Sequence, residues 1–152
     1  MPSASVAAPE ARYEDFRWEV LGDSVDEPWQ GIWEPLFLAR TVFSDLPELS
    51  RQQVAERALR ELLDARLIAF FTSRPAESPE DAVARGVSVL DRDAAEREIG
   101  SSGWRTVPLG ASHTWFGGTA EGERVVRQHW PGTTTPQFRS EALRRLWRET
   151  PD

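Results

Sequence analysis

The side chains able to do acid–base or nucleophilic chemistry are few in this sequence and do not form a recognisable catalytic group. The two histidines, His113 and His129, are sixteen positions apart and have no carboxylate at the spacing of a metal site. The stretch Gly110 Ala111 Ser112 His113 lacks the glycine two residues after the serine that a nucleophile elbow needs. Cysteine is absent, which excludes thiolate nucleophiles and Cys-based zinc sites. We therefore predict no catalytic residue, no metal site and no cofactor, and leave open only carboxylate chemistry without a motif.

Length and composition indicate one globular domain. The chain has 152 residues, and its 39% hydrophobic and 28% charged residues favour neither disorder nor a membrane protein. No apolar run approaches the ~18 residues that cross a bilayer, and the first residues lack the pattern of a secretory signal. We expect a cytoplasmic protein without membrane contact. The 18 arginines, with no lysine and no asparagine, are typical of a GC-rich bacterial genome, because lysine and asparagine codons both begin with AA.

Charge is distributed unevenly along the chain. Residues 1–49 carry ten acids and three arginines, a net charge of -7, and residues 50–98 carry a net charge of -2. Residues 99–152 carry five acids and seven arginines, a net charge of +2. This asymmetry is typical either of a solvated surface whose ends attract each other within the fold or of an interaction surface.

The N-terminal third shows three local patterns. Residues 1–12 are rich in Ala, Ser and Pro and predict a disordered leader, so that the domain begins at residue 13. Apolar and charged residues alternate over 16–20 and predict a short strand. Apolar residues at helical spacing from Trp29 to Phe43 predict a helix whose regular part begins near Trp33, because a proline follows there.

The clearest pattern lies in the middle of the sequence. Ser50 and Gln53 have the spacing of a capping box, with Ser50 as N-cap, and an apolar face follows as far as Ala65. This predicts a helix from Ser50 to Ala65. The β-prone apolar run 67–71 then predicts a buried strand.

The remaining elements are shorter. Two short helices are predicted by capping and glycine signals, at 79–85 and 91–99, and two strands at 104–107 and 113–116. Thr119 is the predicted N-cap of a helix over 120–130. Apolar residues at helical spacing predict a final amphipathic helix within 131–152.

This order of elements resembles that of winged-helix domains. The stretch Leu59 Arg60 Glu61 Leu62 Leu63 Asp64 Ala65 Arg66 Leu67 Ile68 is similar to their passage from helix into first wing strand. The stretch Trp115 Phe116 Gly117 Gly118 Thr119 Ala120 Glu121 Gly122 Glu123 Arg124 Val125 Val126 is similar to the turn after the wing. The resemblance implies an α+β fold: a winged-helix-like helical domain over 13–130 with a small antiparallel sheet. It also implies a long wing insertion over about 72–112 and an extra C-terminal helix over 131–152.

The resemblance also implies DNA binding, and helix 50–65 would be the reading element. Helical spacing places Gln53, Arg57 and Arg60 on its outward face, together with three carboxylates. A face of net negative charge on a protein of pI 4.9 is repelled by phosphates. The charges have i,i+4 spacing, as Glu56 with Arg60, Arg57 with Glu61, and Arg60 with Asp64, and so favour pairing within the helix.

Protein contacts are the preferred function. The chain has 7 tryptophans, and tryptophan and arginine are enriched at binding hot spots. The candidate partner-binding residues are Trp29, Arg144, Arg145, Trp147 and Arg148. We predict a non-enzymatic, acidic winged-helix-type protein that binds another protein or a second copy of itself, as a homodimer. A DNA-binding transcriptional regulator that uses Gln53, Arg57 and Arg60 is the alternative, and a small carboxylate or histidine enzyme is the least supported class.

Overall fold

The protein is an α+β structure, as the sequence predicts. The computed structural model describes residues 6–27, 30–73, 87–100 and 114–130. Their elements, in chain order, are α1 (Glu10–Asp26), β1 (Gln30–Gly31), α2 (Glu34–Val42), α3 (Glu48–Asp64), β2 (Ile68–Ser73), β3 (Val87–Val89), α4 (Arg92–Gly100), β4 (Thr114–Gly118) and α5 (Ala120–His129).

The strands form one antiparallel sheet in the order β1-β4-β2-β3. β2 and β4 pair over five residues, from Ile68 opposite Gly118 to Thr72 opposite Thr114. These are the strands that the sequence predicts at 67–71 and 113–116, and both are confirmed. The edge strands β1 and β3 were not predicted, because two or three residues are too short to show an alternating pattern.

Helix α1 replaces the predicted leader and strand at the N-terminus. The predicted strand over 16–20 is wrong, because the alternation there is part of a longer stripe at helical spacing. Tyr13, Phe16 and Val20 lie on that stripe and are fully or almost fully buried. The predicted leader is also wrong where the structure describes it: residues 10–12 belong to α1, and the Val6 N–H donates to Ser50 Oγ at 2.7 Å.

A proline lies at the start of each of the helices α2 and α3. α2 starts at Glu34 with Pro35 in its first turn, as predicted. α3 starts at Glu48 rather than Ser50, because Pro47 occupies the cap position. Ser50 is therefore not the N-cap: it is 1% exposed and its hydroxyl accepts the hydrogen bond from Val6.

The core lies where α1, α2 and α3 meet one another and the sheet. Phe16 and Phe43 join α1 to the end of α2, with ring centroids 5.4 Å apart, and Phe70 and Phe116 join the two central strands at 5.5 Å. All four rings are buried, and burial of each contributes about 1.5–3 kcal/mol.

Hydrogen bonds of Thr119 connect the turn before α5 to the turn before β2. The Thr119 hydroxyl accepts the Gly122 N–H at 3.1 Å, which confirms the predicted cap, and donates to the Arg66 carbonyl at 2.8 Å. The Thr119 N–H donates to the Leu67 carbonyl at 3.0 Å. These bonds fix where α5 leaves the sheet.

The other predicted elements have different outcomes. The predicted helix 91–99 is confirmed as α4, and Asp91 Oδ1 accepts the Ala94 N–H at its start. The predicted helix at 79–85, the strand at 104–107 and the helix within 131–152 lie outside the described residues.

We expect Gly122→Ala to lower the free energy of unfolding by about 1–3 kcal/mol. A Cβ at this position would lie 2.2 Å from the Leu67 carbonyl oxygen, which is held in the turn described above. Glycine-to-alanine changes inside helices normally raise the free energy of unfolding by ~0.5–1 kcal/mol. A decrease for Gly122→Ala would therefore indicate the close contact with Leu67. Urea unfolding of both chains measures it. Gly100→Ala is the control, since among the described residues its Cβ would meet only Arg60 Nη2, at 3.5 Å. Equal stability of the two variants would contradict the packing described.

Candidate functional site

Two of the three residues predicted to contact nucleic acid are engaged in ion pairs between helices. Arg57 binds Glu10 of α1 at 3.0 Å, and its guanidinium lies 3.7 Å from the ring centroid of Tyr13. Arg60 binds Glu96 of α4 at 2.6 Å and Glu56 at 3.3 Å. The third predicted residue, Gln53, is exposed on the first half of α3.

The polar face of α3 is therefore an interface with α1 and α4. Glu61 accepts hydrogen bonds from the Tyr13 hydroxyl at 2.8 Å and from Arg17 at 3.1 Å. Burial of the Tyr13 hydroxyl and its bond to Glu61 raise the pKa of that group. The predicted pairs Glu56–Arg60 and Arg57–Glu61 are confirmed. The predicted partner of Asp64 is wrong, because Asp64 binds Arg92 of α4 at 2.5 Å.

Arginine neutralises acidic side chains over most of the described surface. Described arginines with such ion pairs are Arg12, Arg17, Arg40, Arg51, Arg57, Arg60, Arg92, Arg124 and Arg127. Asp15, Asp91 and Asp93 have no such ion pair, and a larger group of acids without one lies in the C-terminal half of α1 and at the start of α2. There Glu19, Asp23, Glu27 and Glu34 form what we term the acidic surface, and none of them pairs with an arginine of the described residues.

A small cavity lies within the acidic surface. Asp23 of α1, Gln30 of β1 and Glu34 of α2 line it, and Val20 and Phe116 contribute apolar walls. Its volume is about 20 Å³, room for one water-sized group.

The acceptors of this cavity are incompletely satisfied. Oε2 of Glu34 is buried and has no hydrogen-bond partner among the described residues, although the Gly31 N–H binds the same carboxyl group. Gln30 is only 6% exposed, and its Nε2 donates to Glu27 Oε2 at 3.2 Å, so one of the two N–H groups of this amide is used. A buried acceptor without a donor is unfavourable by about 1–3 kcal/mol.

Both cavity carboxyls have raised pKa values. Desolvation raises the pKa of Glu34 to about 7, with repulsion from Glu27 and Asp23 adding to it. The pKa of Asp23 is raised to about 6, although much of this side chain faces solvent. Its main cause is desolvation on the cavity side, followed by repulsion from neighbouring acids, among them Glu19 and Glu27.

This geometry suits a group that carries positive charge and several N–H donors. An ammonium group is close to water in size, and in this cavity it would supply an N–H donor and neutralise the repulsion between the carboxylates. Among the described residues, no group of His, Cys, Asp and Glu side chains has an arrangement that could hold a metal ion.

An aromatic cluster lies beside the acidic surface. His129, at the end of α5, stacks on Trp18 of α1 with ring centroids 3.6 Å apart and planes 3° from parallel. Trp130 packs edge-on against Trp18 at 5.9 Å and covers Gly22 of α1. His129 is thus part of an aromatic contact between helices.

The partner-binding residues predicted from the sequence are not tested by these contacts. Trp29, Arg144, Arg145, Trp147 and Arg148 lie outside the described residues, as does His113. The structure instead brings Asp23, Glu27 and Glu34 together as a candidate site, and the sequence analysis did not select these residues. The available signal was the acidic excess of residues 1–49, which does not reveal that α1 and α2 bring these three together.

No protein family model, no curated protein and no solved structure matches this chain. None of the described helices combines the length and the apolar character needed to cross a membrane. The candidate site therefore rests on its own geometry.

We expect Glu61→Gln to lower the free energy of unfolding by about 1–2 kcal/mol. Its carboxylate accepts hydrogen bonds from Tyr13, Arg17 and Arg57, and the amide cannot accept all of them. Asp45→Asn is the matched control, because Asp45 makes one exposed pair with Arg12 and should change stability by less than about 0.5 kcal/mol. Chemical unfolding at pH 7 compares them. Equal losses would show that Glu61 is an ordinary surface acid.

We expect the Asp23→Asn/Glu34→Gln double variant to be more stable than wild type at pH 8 and equally stable near pH 4. Because the folded pKa values are raised, the native state binds protons more tightly than the unfolded state. Wild-type stability therefore decreases as pH rises from about 4, where the unfolded carboxyls ionise, to about 7, where native Glu34 ionises. We expect a gain of ~1 kcal/mol at pH 8, since solvent screens both groups.

Thermal unfolding across this pH range measures the difference. The control is Asp15→Asn/Asp93→Asn, which removes two exposed carboxylates outside the acidic surface. A gain that did not depend on pH would contradict the assignment to these carboxyls.

Proposed function

We propose that this protein is a non-enzymatic binding module whose acidic surface receives a basic, arginine- or lysine-bearing segment of a partner protein. One observation carries the proposal: Asp23, Glu27 and Glu34 converge without a cationic partner among the described residues, and Glu34 Oε2 is buried without a donor. Elsewhere on the described surface, arginines pair with most of the acids.

The energetic argument follows from charge. Repulsion and desolvation at the acidic surface destabilise the unbound protein at neutral pH, whereas most described acids elsewhere gain from an arginine. A cationic side chain at the cavity offsets the repulsion between the carboxylates, so that part of the binding free energy comes from relief of this unfavourable state. Complementary charge also increases the association rate and selects against acidic partners.

A winged-helix-type architecture is part of this proposal. Three helices precede the paired strands β2 and β4, and a long connection that includes β3 and α4 joins these strands in the manner of an enlarged wing. We also propose a cytoplasmic location, which the absence of cysteine supports.

The alternative, a DNA-binding regulator, would use α3. Its support is weakened because Arg57 and Arg60 bind carboxylates of α1 and α4. Binding to phosphates would require both arginines to leave these ion pairs, or a basic surface assembled from other segments or from a homodimer.

We expect the full chain to bind a fluorescein-labelled peptide that carries several arginines at low ionic strength, about 20 mM NaCl, and to bind it less tightly as salt is raised. Fluorescence anisotropy measures the affinity. Asp23→Asn/Glu34→Gln should weaken binding about tenfold, because it removes both cavity charges. Asp15→Asn/Asp93→Asn removes the same charge elsewhere and should have a smaller effect.

Three results would contradict the proposal. They are equal weakening by the two double variants, no peptide binding at all, and tighter salt-sensitive binding to a DNA duplex than to the peptide. The third result would favour the regulator, and alanine variants of Gln53, Arg57 and Arg60 would then locate the DNA surface.

A further inference from the structure

Large apolar side chains are exposed where α2 and the start of α3 lie side by side. Phe37 of α2 is 45% exposed, and Leu49 of α3 is 43% exposed. Val6, which is 46% exposed, reaches the same part of α3, because its N–H donates to Ser50 Oγ and Ser50 follows Leu49. These are three of the five exposed large apolar side chains of the described residues. Apolar side chains that gather at one place on a surface mark an interaction site.

An ion pair joins the two helices between Phe37 and Leu49. Arg40 Nη2 donates to Glu48 Oε1 at 2.6 Å, and the Arg40 guanidinium lies 5.6 Å from the centroid of the Phe37 ring. Leu49 follows Glu48 in α3. We term Phe37, Arg40, Glu48 and Leu49 the α2–α3 surface. Each helix contributes one exposed apolar side chain and one charge to it, and the two charges are opposite.

Both charged side chains of this surface can bind a further group. The Arg40 and Glu48 side chains are 45% and 41% exposed. Bonds to Glu48 use Nε and Nη2 of Arg40, so Nη1 can donate to a second carboxylate. Glu48 also pairs with Arg51 at 3.3 Å, so two arginines and one glutamate give a local charge of +1, whereas the whole chain carries -7. Two copies of an acidic protein repel each other least where the local charge is not negative.

A surface with two such halves is complementary to itself. A two-fold axis between Arg40 and Glu48 places Arg40 opposite the partner's Glu48 and Phe37 opposite the partner's Leu49. Each apolar side chain then meets another, and each charge meets its opposite. A basic peptide would instead face Arg40 and Arg51, and a nucleic acid would face Phe37 and Leu49.

We infer that two copies of this chain associate through the α2–α3 surface as a two-fold homodimer. Phe37 packs on the partner's Leu49, and Arg40 binds the partner's Glu48. The inference goes beyond the proposed function, because the acidic surface and a basic partner take no part in it.

Sedimentation equilibrium of the full chain over a series of concentrations tests the association, at ~0.15 M NaCl to screen the net repulsion. We expect the dimer fraction of wild type to rise with concentration. Phe37→Glu and Leu49→Glu should each weaken dimerisation at least about tenfold, because symmetry introduces each carboxylate twice into the apolar contact. Val89→Glu is the matched control: it adds the same charge at an exposed apolar residue of β3 and should dimerise like wild type.

Charge reversal tests the arrangement of the two copies. Arg40→Glu alone and Glu48→Arg alone place like charges opposite each other, so each variant should dimerise at least about tenfold more weakly than wild type. An equimolar mixture of the two variants restores both opposite pairs and should form a heterodimer. Circular dichroism and the unfolding transition verify that each variant is folded, and Phe37→Ser replaces Phe37→Glu if the latter does not fold.

The outcomes are distinct from those of the peptide assay. A wild type that stays monomeric up to about 1 mM overturns the inference and leaves the proposed function intact. A dimer that Phe37→Glu and Val89→Glu weaken equally, or a mixture of the two charge variants that stays monomeric, also overturns it. If wild type is monomeric and Phe37→Glu weakens binding of the arginine peptide, the α2–α3 surface belongs to the basic partner, and the homodimer is wrong.

Discussion

The antiparallel pairing of β2 with β4 is the interaction on which the described fold depends. It joins segments more than forty positions apart, from Ile68 opposite Gly118 to Thr72 opposite Thr114. Closing so long a loop is entropically unfavourable, and burial of the aromatic side chains on these strands offsets that cost. Once the strands have paired, the hydrogen bond from Thr119 to the turn after α3 fixes the direction in which α5 leaves the sheet. Helix α5 then runs toward α1, and its end packs against Trp18.

Charge compensation divides the surface into two parts. Where α1, α3 and α4 meet, arginines bridge the helices, and each exposed pair contributes little alone. Together these pairs occupy the guanidinium groups that a nucleic acid would need. At the end of α1 the situation is reversed, because carboxylates accumulate where the last carbonyls of a helix already carry partial negative charge. Desolvation, followed by repulsion between neighbouring acids, raises the pKa values of Asp23 and Glu34.

Sequence alone determined the features whose causes are local. Helical periodicity identified α2 and most of α3, capping and glycine signals identified α4, an apolar run identified β2, and the hydroxyl of Thr119 marked the start of α5. Tertiary structure decided the rest. The alternation over 16–20 predicted a strand, but α1 forms because its longer apolar stripe packs on the core, and α3 begins at Glu48 because Pro47 occupies the cap.

The candidate site belongs to the second category. Composition placed an acidic excess in the first third of the chain, yet Asp23 and Glu27 at the end of α1 meet Glu34 of α2 only when these two helices pack together. Likewise, the ion pairs of Arg57 and Arg60 depend on the neighbouring helices α1 and α4. Local signals report bonds between residues near in sequence, whereas burial and charge pairing depend on which elements become neighbours in space.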